Sequence, residues 1–77
     1  MKFDPLFYVV LGVEQLSEYE FHVWQYSAGR SLEELWEANN VKINHSYLNM
    51  NDYTAHWFID IKDSKITTKM LEAGKVE

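Results

Sequence analysis

Three histidines, His22, His45 and His56, are the side chains of this sequence best suited to moving protons or holding a metal ion. Their spacing makes no continuous motif for either task. There is no HxxxH or HExxH pair, and a chain without cysteine has no thiolate site. His22 stands four residues after Glu18, so a helix would set both on one side, but zinc would still need a third ligand from elsewhere. His45 and His56 fall in two stretches that read as strands, and if these pair as a hairpin the two rings could lie near each other, where a metal or catalytic pair is one option. The ordinary alternative is two half-buried strand histidines.

The carboxylates gather locally, Glu14, Glu18 and Glu20 in one group and Glu33, Glu34 and Glu37 in another. Hydrolysis by acid and base needs two carboxyls across a cleft, one of them buried. Here Glu20 and Glu34 occupy capping positions and Glu33 a first helical turn, which gives them structural work instead. No serine lies in a GxSxG setting, and Gly12, Gly29 and Gly74 are isolated, so neither a nucleophile elbow nor a phosphate cradle is expected. Arg30, the sole arginine, could anchor an anionic group. The residues therefore point to no catalytic residue, no metal ligand and no cofactor.

The elements that would position these groups divide near residue 40. Asp4-Pro5 suits a helix start, with Gly12 ending a helix over about 5–11. Ser17 and Glu20 have capping-box spacing, and Leu16 and Phe21 the spacing of a hydrophobic staple. That predicts a helix over about 18–28, with Phe21, Trp24 and Ala28 on one face and Gly29 as its stop. Ser31 and Glu34 repeat the box for a helix over about 32–39, ended by Asn39-Asn40. From Val41 the period becomes two. Val41, Ile43, His45 and Tyr47 alternate with polar residues, as do Tyr53, Ala55, Trp57, Ile59 and Ile61. Strands are expected over about 41–48 and 53–62, and over 65–71 either a third strand or a last helix from Ser64 to Gly74. The fold class is α+β, with N-terminal helices packed on a small antiparallel sheet. All-α is the alternative, because Tyr53, Trp57, Phe58 and Ile61 also fit a helical stripe.

At 77 residues the chain suffices for one domain. Its net charge of −5 lies in residues 1–40, where seven acids face only Lys2 and Arg30; beyond them five acids match five lysines. Phosphate recognition needs clustered Lys and Arg, so direct binding to nucleic acid or to an anionic membrane is not expected. The longest apolar run, residues 6–13, is too short for a membrane span, and the reading is a soluble, cytoplasmic protein. Three Trp, five Tyr and four Phe exceed what one small core needs. Trp24, Trp36 and Trp57 would supply the core centre. Tyr19 and Tyr26, flanked by Glu18 and Glu33, would form an aromatic patch with an acidic rim; with Glu37 and Arg30 they are the partner-binding candidates.

The stretch Leu16-Ser17-Glu18-Tyr19-Glu20-Phe21-His22-Val23-Trp24, in the pattern L-S-x-x-E-F-x-x-W, resembles a helix of small tail-assembly and minor-tail proteins of tailed bacteriophages. The resemblance covers nine residues. It implies a non-enzymatic assembly factor binding phage structural proteins, with Leu16, Phe21 and Trp24 as the packing face. Together these readings predict a small protein-binding module, an adaptor or assembly factor of phage or mobile-element kind. Its partner would be another protein, a basic one or a second copy of the chain. The rival reading is an acidic inhibitor that mimics nucleic acid and blocks a nucleic-acid-binding protein or defence enzyme.

Overall fold

A computed structural model describes residues 10–74, with the backbone alone for residues 73 and 74. Four strands, β1 (Val10–Gln15), β2 (Glu20–Tyr26), β3 (Lys42–Asn49) and β4 (Thr54–Asp60), form one antiparallel sheet in the order β1-β2-β4-β3. Two short helices, α1 (Leu32–Ala38) and α2 (Thr68–Gly74), join them. The molecule is thus two hairpins joined along a β2–β4 seam. The expected α+β arrangement of N-terminal helices on a small sheet is corrected, and so is the all-α alternative. The helix expected over 18–28 is strand β2. Of the one expected over 5–11, Val10 and Leu11 are strand, and residues 5–9 lie outside the described residues. Residues 65–71 form no third strand of the second hairpin; helix α2 begins at Thr68, where Thr67 Oγ1 accepts from the Met70 N–H.

The segment read as a helix start closes a hairpin instead. Ser17 Oγ donates to Glu20 Oε1 at 2.8 Å, and the N–H groups of Leu16 and Ser17 both reach the Glu20 carbonyl. The side-chain pair that would cap a helix thereby ties the β1–β2 turn. Leu16, Phe21 and Trp24 accordingly share no face: Leu16 is exposed in the turn, Phe21 is buried, and Trp24 lies on the opposite side of the strand.

One face of the sheet carries Val10, Val13, Phe21, Val23, Ile43, Trp57 and Ile59, covered by Leu32, Leu35 and Trp36 of α1 and by Ile66 and Leu71. The helix stands where its caps predict. Ser31 is the N-cap, accepting from the Glu33 N–H, and Asn40 takes the left-handed conformation (φ 61°) just beyond the C-cap Asn39. Gln25, buried among apolar neighbours, fixes α1 to the sheet. Its Oε1 accepts the Leu32 N–H and its Nε2 donates to the Arg30 carbonyl, both at 2.8 Å. One amide thus satisfies a backbone donor and acceptor at the buried helix start. Among the described residues, the buried indole N–H groups of Trp36 and Trp57 meet no acceptor.

Candidate functional site: the open face of the sheet

The opposite face carries the chemistry. Its side chains form rows across the strands, read from β1 to β3. One row is Glu14, His22, Phe58 and His45; the next is Gly12, Trp24, His56 and Tyr47. A charged row of Glu20, Asp60 and Lys42 borders them on one side, and Tyr26, Thr54 and Asn49 border them on the other. Among the described residues neither helix covers this face, and no pocket opens in it.

Two β-bulges bring the rings to this side. At Asn44 the register slips, so Ile43 opposes Ile59 while His45 opposes Phe58. The extra residue turns His45 and Tyr47 away from the face that Ile43 occupies, where simple alternation would keep all three together. At Leu11 a matching slip lets Val10 and Val13 both face the core while Gly12 lies opposite Trp24. Gly12 is required there by close approach. A Cβ at that position would fall 2.0 Å from Cζ2 of Trp24, so the indole lies directly on the glycine backbone. An aromatic ring covering a strand glycine restores part of the packing that the missing side chain forfeits.

The rings stack into one sheet-wide cluster. His22 lies flat on Phe58, with centroids 4.4 Å apart and an interplanar angle of 3°. His56 lies as flat on Tyr47, at 4.5 Å and 3°. Trp24 leans on His22 at 4.7 Å, and His45 meets both Tyr47 and Phe58 at the rim.

A hydrogen-bond chain runs through the stack. His22 Nε2 lies 2.8 Å from His56 Nδ1, His56 Nε2 lies 2.8 Å from Thr54 Oγ1, and Thr54 Oγ1 donates to Asp52 Oδ1 at 2.6 Å. Its direction follows from the proton count. Thr54 has one hydroxyl hydrogen and the Asp52 carboxylate only accepts, so Thr54 must accept from His56. His56 then carries its proton on Nε2, which leaves Nδ1 to accept from His22 Nε2–H. The one ring nitrogen of the pair outside the chain is His22 Nδ1, 3.7 Å from Glu14 Oε1. Burial, reinforced by His22 and opposed by Asp52, holds the His56 pKa below its ordinary 6.5.

The chain lacks a hydrolase's geometry. In a catalytic triad the acid orients the histidine, and the hydroxyl is free to attack. Here Asp52 holds the hydroxyl, and Thr54 is buried. The open question of whether His45 and His56 are adjacent is answered by the register: the hairpin forms, but Tyr47 opposes His56, and the partner of His56 is His22 on β2. Among the described residues no three His, Asp or Glu side chains gather as a metal site.

The patch expected from Tyr19 and Tyr26 does not form. They bracket β2, seven residues apart in extended chain, a span of roughly 23 Å. Tyr26 stands at the edge of the open face, and Tyr19 in the β1–β2 turn beside Glu18. Glu33 and Glu37 are exposed on α1, which packs against the other face; Arg30 pairs with Glu34. The residues that the sequence reading does not gather are Gly12, Glu14, Trp24, Tyr47, Asp52, Thr54 and Phe58, and it sets His22 beside Glu18 where the sheet sets it beside His56. The signal available for them was Phe58, the one apolar residue on the polar side of the β4 alternation. Among the described residues no helix is long and apolar enough to cross a membrane. No family model, no curated protein and no solved structure matches this chain.

Proposed function

We propose that this chain is a non-enzymatic protein-binding module whose open sheet face takes a basic, arginine-bearing segment of a partner protein. The observation that carries this is the cluster of six rings, His22, Trp24, His45, Tyr47, His56 and Phe58, on a face that no described element covers. Tyr and Trp concentrate binding energy because they bury large area with few rotors. The rim supplies the sign of the partner: Glu14, Glu20, Asp52 and Asp60 surround the rings, against Lys42 as the one cation in the described strand rows. A guanidinium stacks on aromatic faces and pairs with carboxylates, so it meets both features at once. A single-stranded nucleic acid would also stack on the rings, but it needs a basic groove for its backbone. The corresponding biological role is an adaptor or assembly factor, of the phage or mobile-element kind, in a cytoplasmic setting.

The test is a nuclear magnetic resonance titration of the labelled chain with a short Arg-Gly repeat peptide, using a poly-glutamate peptide as control. The expected shifts fall on residues 12–14, 22–24, 45–47 and 56–58, only with the cationic peptide. The acidic-mimic reading draws on the exposed carboxylates Glu33, Glu34 and Glu37 along α1. Shifts confined to α1 and abolished by moderate salt would favour it and sink the open-face reading.

A further inference from the structure

We propose that the open face is a proton-operated latch, in which the His22–His56 hydrogen bond holds the ring cluster together and a second proton on the pair forces it apart. The inference deepens the preceding reading by naming how the same face is regulated, but the latch itself stands on the hydrogen-bond geometry.

The pair has room for one added proton. Placed on His22 Nδ1, it points at Glu14 Oε1 and leaves every bond of the chain intact. A second can go only to His56 Nδ1, the atom that accepts from His22 Nε2–H. Two N–H groups would then oppose each other across 2.8 Å, and two imidazolium charges would lie in rings with centroids 5.0 Å apart. Neither ring can swing away alone. His22 lies flat on Phe58 with Trp24 leaning against it, and His56 lies flat on Tyr47 and is tied to Thr54. Moving one therefore moves the cluster.

The charged and titratable groups around the pair set the balance. From β1 it is faced by Glu14; along β2 stand Glu20 and Tyr26; β4 adds Asp60, and the β3–β4 turn that precedes it adds Asp52; β3 adds Lys42, His45 and Tyr47. Both helices pack on the other face. The first proton points at Glu14; on His56, burial and the neighbouring His22 oppose the second, which Asp52 favours. Acid also makes the face less negative. A cationic segment is then released for two concerted reasons: its stacking platform breaks up and its counter-charge is neutralised.

The full chain, labelled at its histidine nitrogens, is titrated from about pH 8 to about pH 5, the range over which imidazoles change charge. At the alkaline end both His22 and His56 should be Nε2–H tautomers. On acidification the first proton should leave the His22–His56 hydrogen bond intact, with His56 still neutral. As His56 follows, the ring-current-shifted signals of Trp24, Tyr47 and Phe58 should collapse, with the methyl signals of Val23, Leu35 and Ile59 unmoved. His56→Phe, which keeps a flat ring against Tyr47, should hold the remaining rings in place throughout. Independent titration of the two histidines, an Nδ1–H tautomer at His56, or simultaneous loss of face and core signals would each overturn the latch. A second arm measures the Arg-Gly peptide at both ends of the range, with about tenfold weaker binding in acid expected for the natural chain and a clearly smaller loss for His56→Phe, which keeps its platform and retains only the charge effect. A peptide that fails to bind at either pH overturns the binding reading, while the tautomers and ring shifts still decide the latch.

Discussion

The two faces of the sheet are made by the same strands under different rules. The core face is apolar and closed by two helices, yet it leaves the indole N–H groups of Trp36 and Trp57 without acceptors among the described residues. The open face is partly buried with no described element over it, yet all but one of the four nitrogens of His22 and His56 are engaged in hydrogen bonds. Buried polar groups are ordinarily the satisfied ones, because an unmet donor away from water costs about 1–3 kcal/mol. The inversion teaches where precision was needed. The core face works by filling volume, whereas the outer rings are held in one orientation by a hydrogen-bond network.

The largest effect should come from breaking the core face. Trp36→Ala removes a fully buried ring and should cost about 3–5 kcal/mol in urea denaturation, enough to unfold a domain of this size. Removing the clamp comes next. Gln25→Leu leaves the Leu32 N–H and Arg30 C=O without their partner and should cost about 1–3 kcal/mol, with helical circular dichroism lost before strand signal. If the variant melts like the natural chain, the amide is not what holds α1.

Gly12→Ala separates the faces. Its Cβ displaces the Trp24 indole, which can move outward, so the stability loss should be only about 1 kcal/mol while the near-ultraviolet signal of Trp24 disappears. A variant that keeps that signal would mean that the ring does not rest on residue 12.

Acid should sharpen the contrast in a definite direction. His56 has its pKa lowered in the folded chain, so between 6.5 and the folded value the unfolded chain binds the proton and the native one does not. Stability is therefore complete above 6.5 and falls as the pH drops through that window. Denaturation midpoints measured across it should decline for the natural chain, and His56→Phe should flatten that part of the slope. The smallest effect is Ser17→Ala, which removes one exposed hydrogen bond of the hairpin turn and should change stability by no more than about 0.5 kcal/mol. A loss near 1 kcal/mol, the value typical of a helix cap, would argue for the helix first read there.

The same contrast explains what was legible in the sequence. β3 and β4 stand where period-two alternation placed strands, and α1 lies within its caps, although the Asn44 bulge sends His45 and Tyr47 to the side opposite Ile43. β2 was not legible. Phe21 and Val23 fill the core face while His22, Trp24 and Tyr26 fill the other, so the strand is apolar and aromatic on both sides and its alternation vanishes. Phe21 and Trp24 then satisfy a helical spacing by coincidence, and the Ser17–Glu20 pair supports either a cap or a turn. The rings that make the candidate site are what disguised the strand bearing them. Its convergence was hidden for a second reason: His22 and His56 are 34 residues apart, and only the β2–β4 register and the two bulges bring their rings into one cluster.

The order β1-β2-β4-β3 also has a kinetic consequence. Each hairpin closes within a short stretch of chain, but the β2–β4 seam between them must wait for a much longer loop to close, and such non-local pairings form late. His22 and Trp24 arrive on one hairpin, and His45, Tyr47, His56 and Phe58 on the other. Transition-state mapping by stopped-flow is expected to give high φ-values inside the hairpins and low ones across the seam. A chain caught halfway would own every ring and no binding surface, so the face comes into being only with the last step of folding.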